Sequence, residues 1–275
     1  MKRDGQVKKD RGNDDNFVVL KRSLKMKIHT FGTITNPKML LIHGALTPWQ
    51  IWNEQIEFFS KNYYIIVPAL DAHTEEAPSE FISIEKEAEK IENYLIENAI
   101  DKIDVVCAFS MGGAIANIIW SNQKIKIETL VLDGAVLAPA PKFMQKMMIS
   151  SYNSIINNSK SRNPKTLKNF KESFLPEKHL ESYLKIADNM SESSIKNMIK
   201  SVSNSNLSTT APQKTKILYM YGTKLNEQIS KKSVKLIKKY YSNTTVFCWK
   251  GCAHCYKISF EPLQWTEVVN NFLNN

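Results

Sequence analysis

The groups in this chain that could carry out covalent chemistry centre on Ser110. It sits in Cys107-Ala-Phe-Ser-Met-Gly-Gly113, between an apolar run, Ile103 to Phe109, and a helix-like run, Met111 to Ser121. A serine between small residues, where a strand turns abruptly into a helix, is a nucleophile elbow. The turn is too tight for large side chains two positions to either side. Those positions hold Ala108 and Gly112. The usual pattern is Gly-x-Ser-x-Gly, and Ala108 keeps the required smallness. A His43-Gly44 pair upstream and Gly251-Cys-Ala-His254 downstream give the elbow its context. A hydroxyl is a weak nucleophile at neutral pH and needs an adjacent base.

Such groups must be held by a scaffold, and the sequence alternates strand and helix patterns. Lys38–Ile42 reads as a short buried strand ending at His43-Gly44, and Trp49 to Ser60 as a helix. Tyr63–Val67 reads as a second buried strand, stopped by Pro68. Ile84, Ala88, Ile91 and Leu95 recur at helical spacing. The strand into Ser110 and its helix follow, then strands at Glu128–Asp133 and Lys216–Tyr221. A basic helix, Ser230 to Tyr240, a strand, Thr244 to Trp249, and a closing helix, Phe260 to Phe272, complete the pattern. Continuous apolar strands alternating with helices predict a mainly parallel sheet covered on both faces. Between Pro139 and Pro212 no strand is convincing. This segment, with its cluster Met144, Met147, Met148 and Ile149, reads as a helical insertion over the carboxyl ends of the strands.

With these residues in place, the chain resembles the α/β-hydrolase superfamily, from about residue 24 to the C-terminus. The resemblance rests on His43-Gly44, on Ala108-Phe-Ser-Met-Gly-Gly113 and on Gly251-Cys-Ala-His254. Pro68-Ala-Leu-Asp-Ala-His73 is similar to the family's turn after its fourth strand. It implies an α/β-hydrolase fold: a mostly parallel twisted sheet flanked by helices, with a helical cap insertion. The expected division is a basic tail at 1–15, a core at 16–138 and 211–275, and a cap at 139–210. It also implies Ser110 as nucleophile and His254 as general base, then general acid. Backbone N–H groups of Ala45 and Met111 would hold the oxyanion. His43 and His73 are expected to be structural, and His29 and His179 carry no motif.

The third member of the triad is where the sequence departs from the family. The acid usually follows three residues after the glycine that ends the seventh strand, a position held here by Leu225. Glu227 is the expected acid, reaching back from two residues later. Asp133, at the end of the preceding strand, is the competing candidate. The carboxylate could also be absent, with Asn226 in its place.

Composition bounds the remaining choices. The 275 residues carry a net charge of +10, with 43% hydrophobic and 23% charged residues, ordinary for a globular chain. Residues 1–27 hold nine Lys/Arg and four Asp, so half of the excess charge lies in a tenth of the chain. No stretch approaches the ~18 apolar residues of a spanning helix. No secretory signal is visible, and Cys107, Cys248, Cys252 and Cys255 fit a reducing compartment, so the expectation is cytoplasmic. The spacing of the last three around His254 matches no zinc module, and no phosphate loop or dinucleotide fingerprint is present. The lysine-rich run 231–239 reads as a solvated face, not a nucleic-acid surface. The expected activity is that of a cofactor-free serine esterase acting on a small, partly apolar acyl substrate. Serine at the elbow argues against a dehalogenase or epoxide hydrolase, which in this family carry aspartate there. A binding protein on the same fold, or a triad-based lyase or acyltransferase, is the alternative. Oligomeric state is not legible.

Overall fold

The computed structural model describes residues 26–76, 78–224 and 227–275. The expected tail at 1–15 and the positions Leu225 and Asn226 lie outside these residues. The strands are β1 (Lys27–Phe31), β2 (Lys38–Ile42), β3 (Tyr64–Ala69), β4 (Lys102–Phe109), β5 (Lys126–Asp133), β6 (Lys216–Gly222) and β7 (Thr244–Trp249). They form one sheet in the order β1-β3-β2-β4-β5-β6-β7. β1 is antiparallel to β3, and the other pairings are parallel. The centre is β4, flanked by β2 and β5. Its residues Val106 to Phe109 are all buried, as expected for a strand covered on both faces.

Two readings of the sequence need correction. Pro68 does not stop β3, which runs on to Ala69. The ladder with β2 ends at Ile66, while β1 continues to pair as far as Ala69. Beyond Ile66 the strand is bonded on one side, where a missing N–H is tolerated. The closing helix, α10 (Pro262–Asn274), starts at Pro262 instead of Phe260, and a short helix without a sequence expectation, α9 (Tyr256–Phe260), precedes it. β1 itself has no strand reading in the sequence.

Helices α1 (Asn53–Phe59), α2 (Ile84–Glu97), α3 (Met111–Asn122) and α8 (Gln228–Tyr240) join the strands. α2 packs on α3, and α1 packs on α10. α2 buries the predicted stripe Ile84, Ala88, Ile91 and Leu95, and Ser83 caps it by accepting from the Lys86 N–H at 3.2 Å. Between β5 and β6 the chain makes an all-helical excursion: α4 (Lys142–Lys160), α5 (Pro164–Ser173), α6 (Leu180–Asn189) and α7 (Glu192–Ser203). α4 packs against α5, α6 and α7. The excursion leaves and returns side by side. The Ala140 N–H donates to Ser203 O at 2.8 Å, and the Leu207 N–H to Leu137 O at 2.9 Å. No helix among the described residues is long and apolar enough to cross a membrane.

Candidate active site

Ser110 stands between β4 and α3 with φ 51° and ψ −119°, a conformation that L-residues rarely adopt. Its N–H is tied to Asp133 O at 2.9 Å, and its hydroxyl makes no cap bond to α3. Gly112 is required here. A Cβ on it would meet Ile42 O at 2.4 Å and His43 O at 2.5 Å. The bare glycine lets the start of α3 lie against the end of β2. Ala45, after β2, and Met111, at the first turn of α3, therefore line the same cavity as Ser110 and His254. Met111 carries one of the first-turn N–H groups that a helix leaves without an internal partner.

The histidines expected to be structural form a reciprocal pair. His43 Nδ1–H donates to Gly44 O at 2.9 Å, and its Nε2 accepts from the Leu70 N–H at 3.2 Å. His73 Nδ1–H donates to Asp71 O at 2.9 Å, and its Nε2 accepts from the Leu46 N–H at 3.0 Å. Each imidazole thus grips the loop that bears the other. Both are buried. Burial pulls their pKa values down to about 3 for His43 and about 4 for His73, so both are neutral and able to accept. The pair holds Leu46, and with it Ala45, beside the elbow.

His254 reaches Ser110 from the loop after β7, with Nε2 3.0 Å from Oγ. Its Nδ1 is 3.3 Å from Oε2 of Glu227. Such contacts are often loose before a substrate binds. The loop after β6 brings Glu227 there. The N–H groups of Thr223 and Lys224 both donate to Cys252 O at 3.0 Å, and the Gly251 N–H donates to Thr223 Oγ1 at 2.8 Å. The two loops are therefore clamped together. Glu227 then opens α8 and turns its side chain back, where Oε1 accepts from the Gly222 N–H at 3.1 Å. Burial pushes the Glu227 pKa up, but bonding to and attraction by His254, with help from Ser230 and Gly222, outweigh it. The carboxylate ends below its ordinary value.

Asp133 is equally buried but otherwise engaged. Its Oδ2 accepts from Trp265 Nε1–H at 2.9 Å. Burial, then the charge of Glu227, push its pKa up to about 7. Of the two carboxyl groups, Glu227 is the better anion, and its Oε2 lies against the imidazole Nδ1. Gly134, next along, has φ +58°, and a Cβ there would lie 2.6 Å from His254 Cε1. Cys255 is buried, with Sγ 3.7 Å from Asp133 O. Among the described residues no three His, Cys, Asp or Glu side chains gather as a metal site. The sequence reading missed Trp265, Ser230 and the contact of Gly134 with His254. Trp265 and Gly134 act across more than a hundred positions, and Ser230, three residues after Glu227, carries no motif of its own. His29 stacks on Trp49, ring centroids 3.9 Å apart, and His179 is buried; neither lines the cavity at Ser110.

That cavity measures about 610 Å³ and is roofed by residues of α4, α5 and α7. It falls within the roughly 300–1,000 Å³ typical of small-molecule sites.

Neither a protein-family model nor a curated protein sequence matches the chain. Solved structures do. An α/β-hydrolase family protein from Desulfitobacterium hafniense superposes with a TM-score of 0.71 at 19% identity, covering 90% of this chain and 100% of its own. A thermophilic esterase from Thermogutta terrifontis gives 0.68 at 15% identity, with 90% and 93% covered. The epoxide hydrolase CorEH gives 0.61 at 14% identity, with 90% and 94% covered. At these identities the likeness speaks for the fold, and one fold serves more than one reaction.

Proposed function

We propose that this chain, which has the α/β-hydrolase fold, is a cofactor-free serine hydrolase that cleaves a carboxylic ester through an acyl-enzyme. The observation that carries the reading is the line of three side chains, Ser110 Oγ to His254 Nε2 at 3.0 Å and His254 Nδ1 to Glu227 Oε2 at 3.3 Å. In this reading His254 takes the hydroxyl proton as Ser110 attacks the ester carbonyl. Glu227 fixes the Nδ1–H tautomer and stabilises the imidazolium that forms. The N–H groups of Ala45 and Met111 receive the negative charge on the carbonyl oxygen. His254 then protonates the departing alcohol. A water molecule, activated by the same imidazole, releases the acid and restores Ser110.

The helices α4–α7 serve as a cap that shapes the substrate cavity. A serine at the elbow favours acyl transfer over the aspartate-based opening of an epoxide. The approach of Glu227 to His254 weighs against a non-catalytic binding protein, whose support is the displaced acid position. A fluorophosphonate probe tests the reading. Wild type should be labelled at Ser110 and hydrolyse short p-nitrophenyl esters, and Ser110→Ala should do neither while keeping its circular-dichroism spectrum. Hydrolysis by Ser110→Ala near the wild-type rate would overturn it.

A further inference from the structure

The lining of the cavity narrows the substrate class, an inference that rests on the esterase reading above. Charged residues make up 23% of the chain, yet among the described residues none of the side chains around the cavity is Asp, Glu, Lys or Arg. This reflects helical phase. In α5, Lys165, Lys168, Lys171 and Glu172 all fall outside the lining, while Thr166, Asn169, Phe170 and Ser173 form it. In α4, the lining takes Met148, Tyr152 and Ile155 with Ser154 and Asn158, and leaves out Lys142, Lys146 and Lys160.

The lining is also graded. Its buried members are apolar: Leu46, Met111, Val136, Phe170, Met198 and Ile199. Phe170 is fixed by stacking on Tyr183, with ring centroids 3.9 Å apart. Its exposed members, Ser154, Asn169 and Ser173, are neutral hydrogen-bonding groups, and half-buried Asn158 and Thr166 stand with them. The interior excludes water from an aliphatic chain. Among the described residues the rim offers amides and hydroxyls but no counter-charge.

We propose that the cavity selects an uncharged amphiphilic ester whose acyl arm is an aliphatic chain ending in a neutral hydroxyl or amide group. A carboxylate or ammonium at that end would lose hydration without gaining an opposite charge. The aliphatic part gains with length until the cavity is filled, at about fourfold in kcat/KM per methylene.

The probes are p-nitrophenyl octanoates bearing a terminal hydroxyl, carboxylate or trimethylammonium group, assayed with the full chain alongside fluorophosphonate labelling. The hydroxyl ester should exceed both charged esters by at least roughly tenfold in kcat/KM. Asn169→Asp, on the exposed rim, should raise the ratio of trimethylammonium to carboxylate turnover about tenfold, a change worth about 1.4 kcal/mol. Lys168→Gln makes the same change in net charge on the outward face of α5 and should leave that ratio where it was. Equal turnover of the three esters, or an equal ratio shift in Lys168→Gln, overturns the proposal while labelled Ser110 keeps the esterase reading intact. Absence of labelling overturns both.

Discussion

Ser110 carries backbone strain that alanine keeps and glycine sheds. At φ 51°, ψ −119° an L-residue costs about 1–3 kcal/mol, less what glycine loses by its greater freedom when unfolded. Ser110→Gly should therefore be inactive yet about 1 kcal/mol more stable than Ser110→Ala in urea denaturation. A glycine variant that unfolds first would show that the elbow is not strained. The choice between carboxylates can be read in the same way. Glu227→Gln should lower turnover about 10²–10⁴-fold with little change in stability, because an amide cannot stabilise the imidazolium. Asp133→Asn should cost far less, since an amide oxygen still accepts from Trp265. Turnover of the two variants side by side decides it; a large loss in Asp133→Asn alone would transfer the role.

The loops at the ends of β2, β3, β5, β6 and β7 do not act separately. The loops after β2 and β3 hold one another through His43 and His73, and those after β6 and β7 through Cys252 O and Thr223. The loop after β5 supplies Gly134, whose missing Cβ makes room for the imidazole. Gly134→Ala should push His254 out of line and lower kcat at least roughly 100-fold, with a stability loss of about 1–3 kcal/mol. Wild-type kcat in that variant would mean that the imidazole has room to move. These contacts mark the limit of the sequence reading. The elbow and Gly251-Cys-Ala-His254 were legible because tight turns restrict residue type locally. The approach of Glu227 was legible as an expectation alone. The clamp on Cys252 O that holds the preceding residues, Thr223 and Lys224, is made by backbone atoms and leaves no mark in residue type. Trp265 was invisible because nothing near it in sequence signals a partner 132 positions away.

The mainly parallel sheet was implicit in the alternation of apolar runs and helical stripes, while its strand order and β1 were not. β1 lies at an edge, is half exposed and lacks the continuous apolar run of the central strands. Buried acids give the folded molecule a pH signature. Burial and a neighbouring charge raise Asp133 from 3.8 to about 7, with Glu227 as neighbour, and Glu87 from 4.5 to about 8, with Asp71 as neighbour. Across these ranges the folded state binds more protons than the unfolded chain, so these groups make stability fall as pH rises. Asp133→Asn should flatten the decline between about pH 4 and 7, and Glu87→Gln the decline up to about pH 8. Urea midpoints across this range check both, and slopes unchanged by either substitution would contradict the assignment.

The paired backbone bonds at Ala140–Ser203 and Leu137–Leu207 bring the two chain ends of the helical excursion together at one port. The sheet meets it as two adjacent chain ends, whatever lies between them. Lengthening such a loop costs little, about 0.6 kcal/mol for each doubling. Ser110, His254 and Glu227 all lie outside the port, while α4, α5 and α7 lie within it. The chain therefore enters and leaves the excursion at one place, while Ser194, Asn197 and Ser201 of α7 tie it to the Phe81–Ile84 segment at a second.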